Sequence, residues 1–175
     1  MHKTLLCFLF SILFSGLYAQ KGTIRLSFNG EGSLPVFQNV PGFGVFLKGS
    51  YGTGKYSAIT LSGGISKFNS TTNETGEVTT MLIPFLLGYK HNIKGFFIEP
   101  RIGIGELGGK ILINGDYSRP SVAAIFGGLA AGYTIKRIEL GLGILAVQGI
   151  ENSSAGLWYN KDFHYASIFM GYYLW

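Results

Sequence analysis

Beyond its leader-like start this chain has no cysteine. The lone Cys7 lies inside the apolar run Leu5 to Leu17, so once that run is removed neither a disulfide framework nor thiol catalysis is open to the remainder. Its place within the run, rather than just after it, also argues against lipoprotein attachment. Charge is scarce: Asp, Glu, Lys and Arg make up 13% of the residues, and the 14 basic against 9 acidic side chains are dispersed along the chain. No basic run interleaved with aromatics occurs, which excludes nucleic acid as a partner. Long hydrophobic runs are missing as well. The longest after the start, Val122 to Ile135, is about 14 residues broken by Gly127, Gly128 and Gly132, too short to span a bilayer as a helix and too rich in glycine to favour one.

What is present is an export signature followed by strand-like sequence. Lys3 supplies the basic start, Leu5 to Leu17 the apolar segment, and Leu17-Tyr18-Ala19 before Gln20 a fitting cleavage site. Residues 1–19 are therefore expected to be a cleaved signal peptide, and 20–175 a single domain. With 47% hydrophobic residues and 27 glycines but no spanning helix, an exported chain meets its backbone hydrogen bonds in hydrocarbon only as a closed barrel.

The organising stretch is Ile83 to Gly105, two apolar-rich arms about a polar turn placed at His91 to Lys94. In that register Tyr89 opposes Phe96, Leu87 opposes Ile98, Phe85 opposes Pro100 and Ile83 opposes Ile102, an apolar face. Lys90, Glu99 and Arg101 fall on the other side of the pleat. Eight strands are expected: Gly22 to Asn29, Gly42 to Gly52, Tyr56 to Phe68, Thr79 to Lys90, Phe96 to Leu107, Ser121 to Ile135, Ile138 to Gly149 and Phe163 to Leu174. Each suffices for a tilted crossing of about 9 to 11 residues. The connections alternate long and short without exception, as in transmembrane barrels with short periplasmic turns and long outer loops. The fold class is an all-β, eight-stranded antiparallel up-and-down transmembrane barrel.

Alternation assigns the faces. Ile24, Leu26 and Phe28, then Phe43, Val45 and Leu47, then Ile59, Leu61 and Ile65 should address lipid, while Thr23, Arg25, Ser27, Lys48 and Ser62 turn inward. On strand seven Ile138, Leu140, Leu142 and Ile144 oppose Glu139, and pairing about Lys136-Arg137 brings Ile135 to Ile138 and Tyr133 to Leu140. Lys-Arg is poor chemistry for a two-residue hairpin, so this loop could be longer. Strand eight stays open: Ala166, Ile168, Met170, Tyr172 and Leu174 form one row, Tyr165, Ser167, Phe169, Gly171, Tyr173 and Trp175 the other, and both carry aromatics. Pro84 and Pro100 sit inside strands, where a missing donor calls for a shared bulge.

The Ile83 to Gly105 block, the Ala-Gln junction, the eight-strand rhythm and the aromatic carboxyl end resemble the small outer-membrane β-barrel families. These are the OmpX-like and OmpA transmembrane-domain-like barrels and, most closely, the PorT-like "outer membrane protein beta-barrel domain" group. The resemblance implies an outer-membrane location, with lipid and the outer-membrane assembly machinery as partners. It transfers no functional residue, because such families include adhesins, structural barrels and secretion accessories.

Candidate sites follow from facing. Arg25, Lys48, Glu99, Arg101 and Glu139 should gather in the lower lumen, as a salt-bridged polar core or as a gate. Lys90, Lys94, Lys136 and Arg137 read as solvated turn tips. Above the cluster, Gly44, Ser62, Gly64, Ser66, Gly103, Gly105, Val122, Ala124 and Phe126 are small or apolar; they either pack or form a cup for a small apolar ligand. In the outer loops Leu34, Val36, Phe37, Leu157, Trp158 and Tyr159 are apolar where polarity is expected, and Ile111-Leu112-Ile113 before Asn114-Gly115 signals a hairpin that rises as a β-ribbon. These are the interaction candidates, for a surface protein partner or for capping the barrel.

Enzymatic alternatives are thin. His164 and Ser167 lie three apart on one strand and face opposite ways. Ser153 or Ser154 with Glu151 or Asp162 is the only other route to a lipid-modifying site around His164. Gly103, Gly105 and Gly108 match a dinucleotide fingerprint in letters but continue a strand. No cofactor and no metal is expected, and the reading is of a monomeric, non-enzymatic barrel engaged in surface interaction or envelope support, with a narrow conduit or hydrophobe binder as the alternative.

Overall fold

The computed structural model describes residues 22–36, 40–73, 76–113, 116–118, 121–150 and 162–174; the expected signal peptide lies outside them. Among these described residues there are nine strands: β1 (Ile24–Pro35), β2 (Gly42–Gly52), β3 (Ser57–Asn73), β4 (Gly76–Ile93), β5 (Phe96–Ile113), β6 (Asp116–Ser118), β7 (Ser121–Ile135), β8 (Ile138–Gly149) and β9 (Asp162–Tyr173). All pairings are antiparallel between neighbours, and β1 pairs with β9 from Ser27↔Tyr173 to Pro35↔Tyr165, which closes the sheet. Both β6 and β7 pair with β5, and the partners keep one register: Ile113↔Asp116 and Ile111↔Ser118 continue the ladder that runs through Gly108↔Ser121. Together β6 and β7 make one crossing, so the barrel has eight. The β5–β6 piece is the ribbon that Asn114-Gly115 foretells.

Side-chain alternation holds all the way round. Phe43, Leu61, Ile102, Ile104, Leu142 and Ile168 are exposed on the outside, while Ser27, Lys48, Ser62, Glu99 and Glu139 are buried. On β5 the outward row reads Phe96, Ile98, Pro100, Ile102, Ile104 and then Glu106, an apolar stretch of the length that one tilted crossing needs. Lys67 ends the corresponding row of β3. At the short-turn end Tyr51, Tyr56, Phe96, Tyr133 and Tyr172 are half exposed, the aromatic girdle of a membrane interface. Strand eight, left open by the sequence, is settled: in β9, Tyr165, Phe169 and Tyr173 are buried, and Ile168, Met170 and Tyr172 face out.

The central hairpin corrects one expectation. Pairing follows Ile93↔Phe96, His91↔Ile98 and Leu87↔Ile102, so the turn is Lys94-Gly95 and not His91 to Lys94. Both turn residues have positive φ, +50° and +91°, the type I′ conformation whose twist matches a tight hairpin. The slip from the expected register is an even number of residues, which leaves every side chain on its expected face. At Lys136-Arg137 the turn does hold two residues, with Lys136 at φ +55°.

Pro84 and Pro100 share no bulge, contrary to expectation. The β3–β4 ladder passes from Gly63↔Phe85 to Ser66↔Leu82, and the β4–β5 ladder from Gly88↔Arg101 to His91↔Ile98, each skipping the proline without a change of register. The described register shift between β3 and β4 falls elsewhere, between Phe68 and Thr71. Each ring therefore costs the sheet ladder bonds and no geometry. The prolines are not neighbours either, since Pro84 opposes Gly105 and Pro100 opposes Leu129.

Facing predicts how the wall responds to charge. Leu61→Arg, on the outer row at 63% exposure, should lower folding stability in bilayers by about 2 to 4 kcal/mol if it lies near the midplane. Ser62→Arg, at 6% exposure, should fail by overfilling instead. Urea titration in lipid vesicles of two thicknesses separates them, because only the first penalty should follow the bilayer.

Candidate functional site

Inward positions on four strands bring their charges to one level of the lumen. Lys48 comes from β2, Lys90 from β4, Glu99 and Arg101 from β5, and Glu139 from β8; Thr60 of β3 and Tyr173 of β9 complete the ring. Lys48 Nζ donates to Glu139 Oε1 at 2.5 Å and to Glu99 Oε2 at 3.4 Å. Lys90 Nζ donates to Glu139 Oε2 and, at 3.0 Å, to the Tyr173 hydroxyl, which itself donates to Glu139 Oε2 at 2.5 Å. Arg101 Nη2 and Thr60 Oγ1 donate to Glu99, at 3.1 and 2.7 Å. Both carboxylates are wholly buried, and the two lysines are 3% exposed.

Aromatic faces complete the seal. Lys90 Nζ lies 4.0 Å from the centre of the Phe97 ring, Lys48 Nζ is about equidistant from Phe97 and Phe169 at 6.0 and 5.9 Å, and the Arg101 guanidinium is 5.5 Å from Phe169. Cations that have lost most of their water gain from the quadrupole of such rings. Thus each charge of the network meets an opposite charge, each carboxylate also accepts from a hydroxyl, and each cation also lies near an aromatic ring, the conditions under which burial of ions is tolerable.

Four of the five expected lumen charges, Lys48, Glu99, Arg101 and Glu139, meet in this network. Arg25 does not join it: the residue is exposed at the short-turn mouth, with its guanidinium 5.9 Å from the Tyr173 ring. Lys90 was expected at a solvated turn and is a full member of the core; the turn begins at Lys94, so Lys90 is three residues inside the hairpin. Glu31 was expected in a loop and lies in β1, accepting from Ser66 at 2.8 Å, Ser33 at 3.3 Å and the Tyr165 hydroxyl at 3.4 Å. The inward parity that continues from Ser27 through Asn29 to Glu31 was the signal for it.

The upper lumen is plugged rather than cup-shaped. Phe68, Leu82, Leu86, Leu107, Phe126, Leu145, Val147, Phe163 and Tyr165 form one buried cluster, and Phe68 meets Phe163 edge to face at 4.8 Å. Glycine here serves close backbone approach: a Cβ on Gly103 would sit 1.9 Å from the Phe85 carbonyl oxygen and one on Gly105 2.2 Å from that of Ile83. Between plug and network lies a cavity of about 30 Å³, bordered by Asn29, Lys48, Ser62, Arg101 and Ser167. Asn29 and Arg101, whose Oδ1 and Nε have no hydrogen-bond partner among the described residues, line it, and that volume suits one or two waters, not a ligand.

Among the interaction candidates, Leu34 is a strand residue on the outer row of β1, paired with Ala166, and not a loop residue. Val36 is exposed, with its N–H bonded to the His164 carbonyl at 2.9 Å. Ile111 and Ile113 belong to the β5–β6 ribbon; their side chains, together with Phe37, Leu157, Trp158 and Tyr159, lie outside the described residues. His164 and Ser167 face opposite sides as expected. Ser153, Ser154 and Glu151 lie outside the described residues, and within them no His, Cys, Asp and Glu group is arranged to hold a metal.

The same architecture occurs in solved proteins of low sequence identity. Ail, the attachment invasion locus protein of Yersinia pestis, superposes with a TM-score of 0.63 at 12% identity, covering 87% of this chain and 99% of Ail. The N-terminal β-barrel domain of Pseudomonas aeruginosa OprF gives 0.61 at 9% identity with the same coverage. Neisserial surface protein A gives 0.57 at 8%, over 85% of this chain and 94% of that one. The fold is that of the small outer-membrane β-barrels. No family model and no curated protein matches the sequence.

The network also has a measurable asymmetry. Glu139→Gln leaves Lys48 and Lys90 short of their shared counter-ion and should destabilise the folded barrel by about 3 to 5 kcal/mol. Replacing the pair, Lys90→Met with Glu139→Leu, leaves Lys48 and Arg101 with Glu99 and should cost less than the single change. Reversible urea unfolding followed by heat-modifiable gel mobility gives both numbers; equal losses would show the charges to be solvated.

Proposed function

We propose that this chain is an outer-membrane β-barrel whose crossing is a sealed scaffold and whose long-loop end makes contacts outside the cell. The observation that carries the reading is the combination of a continuous apolar outer wall with a lumen closed by buried ion pairs below and by aromatics above. A soluble protein does not leave such a band uncovered, and eight strands enclose only enough space for side chains. The PorT-like kinship is part of this proposal and rests on the sequence pattern; so is the reading of the chain as non-enzymatic and monomeric.

Strand length supports the long end as the working surface. The 17 residues of β3 and 18 each of β4 and β5 exceed the requirement of one crossing, so the β3–β4 and β5–β6 hairpins stand beyond the polar limit at Lys67 and Glu106. Hairpins whose outer edges have no strand partner among the described residues offer main-chain groups to a partner strand. A protein named for attachment shares the fold, and surface attachment is the role favoured here over passive envelope support.

Single-cysteine labelling tests the topology, since only Cys7 precedes the engineered site. Asn152→Cys should react with a membrane-impermeant maleimide on intact cells, and Lys136→Cys only after the envelope is opened. In planar bilayers the purified barrel should give no reproducible conductance steps. Replacing 109–120 with a short glycine-rich turn should leave the barrel folded while lowering adhesion of producing cells; discrete conductance, reversed labelling or undiminished adhesion would each count against the proposal.

A further inference from the structure

The short-turn mouth holds a second feature that the sealed network does not use. A cavity of about 180 Å³ opens there, lined by Arg25, Lys55 and Lys90 together with Ser50, Ser57 and Thr134 among others, and among the described residues no acidic side chain borders it. Lys90 at its floor is already matched by Glu139. Arg25 and Lys55 make no ion pair among the described residues; the partners described for them are the Tyr173 ring at 5.9 Å and the Tyr56 ring at 5.2 Å. Thr134 Oγ1 is buried with no hydrogen-bond partner among the described residues, and Thr134 borders the same space.

The surroundings carry the same sign. Lys94, Lys136 and Arg137 are exposed on the two flanking turns. The acids nearest in sequence to the short turns, Glu99 and Glu139, are wholly buried and engaged. Excess positive potential at a partly enclosed mouth concentrates anions. Cation type narrows the chemistry further. A guanidinium offers a planar fork to paired oxygens and an ammonium a point charge, while hydroxyls add donors to further oxygens. A doubly charged tetrahedral oxyanion, with three acceptor oxygens and about −1.5 to −2 charges when esterified, fits that donor set better than a monocarboxylate does.

We propose that the short-turn mouth of the barrel is a binding site for a phosphoryl group, held by Arg25 and Lys55 and backed by the hydroxyl of Thr134. Two sources offer a phosphoryl oxyanion: a soluble phosphate or phosphate monoester, with three terminal oxygens, and the phosphodiester headgroup of an anionic phospholipid in the adjoining leaflet, which presents two terminal oxygens and a single charge. The soluble source suits the geometry, because Ser50, Lys90, Thr134 and Tyr173 face the barrel axis and a headgroup would have to leave the outer wall to reach them.

Calorimetric titration of the detergent-folded full-length mature chain with inorganic phosphate and with glycerol phosphate tests the soluble source. Saturable one-site binding is expected, weakened about tenfold in Arg25→Gln or Lys55→Gln and lost in the double variant, with unchanged heat-modifiable mobility as the control for folding. A parallel arm compares unfolding in phosphatidylcholine vesicles with and without phosphatidylglycerol. Protection by phosphatidylglycerol that disappears in the double variant, without binding of free phosphate, keeps the phosphoryl site and assigns it to the headgroup. Neither binding nor protection, or either one undiminished in the double variant, overturns the site. Because these readouts are independent of adhesion and surface labelling, their failure leaves the attachment reading untouched.

Discussion

The structure depends on closing a hydrogen-bonded sheet on itself in a medium that offers its backbone no other partner. An unpaired amide or carbonyl costs several kcal/mol in hydrocarbon, so the seam between β1 and β9 carries as much weight as any pairing of sequential strands. It runs over nine residue pairs, from Ser27↔Tyr173 to Pro35↔Tyr165. Closure in turn forces a strict two-sided wall: with no edge to absorb exceptions, each crossing must present hydrocarbon on one row and lumen on the other. Proline tests the constraint. At Pro84 and Pro100 the ladder is interrupted and resumes in the same register, because a slip at either point would turn a row of buried charge toward lipid.

A closed eight-stranded wall leaves a narrow centre, and the chain fills it in two ways along its axis. Near the short turns the filling is ionic, with Lys48 and Lys90 sharing Glu139 beneath a pair of phenylalanines; toward the long loops it is aromatic and aliphatic. Three cations, Lys48, Lys90 and Arg101, and the carboxylates of Glu31, Glu99 and Glu139 balance within the buried lumen. Such balance makes the ionic half stiff rather than strong, since paired charges in low dielectric gain little over apolar filling yet tolerate no single loss.

Facing was legible in the sequence and register was not, for a physical reason. Alternation is a property of each strand alone, so apolar periodicity around Leu61 or Leu142 fixes it without knowledge of a partner. Register depends on where the chain reverses, and His91-Asn92-Ile93-Lys94 contains enough polarity to look like a turn. The true turn at Lys94-Gly95 is chosen by backbone conformation, with positive φ at both residues. That error hid Lys90 from the site, as an overlong first loop hid Glu31. Arg25 erred in the other direction: its row was right, but the strand end carries it to the mouth, beyond reach of the carboxylates. The fate of β9 was illegible because tyrosine and phenylalanine suit both a lumen and a lipid interface, and only packing of Phe169 beside Lys48 and Arg101 decides.

Filling the centre moves chemistry to the two ends, and the ends differ in kind. Where turns are two residues long, as at Lys94-Gly95 and Lys136-Arg137, the barrel's own inward side chains remain in reach of solvent, and the mouth is a rigid bowl of cations and hydroxyls. Where strands overshoot the apolar wall, backbone edges are what the proposed partner would meet, over the buried cluster of the upper lumen. A rigid bowl with fixed charge suits a small ion, for which orientation matters and area does not. An extended ribbon suits a macromolecule, whose affinity comes from many weak contacts spread along an edge. Among the described residues the packed ionic and aromatic layers separate the two ends, and coupling between distant sites needs a contiguous element with two arrangements.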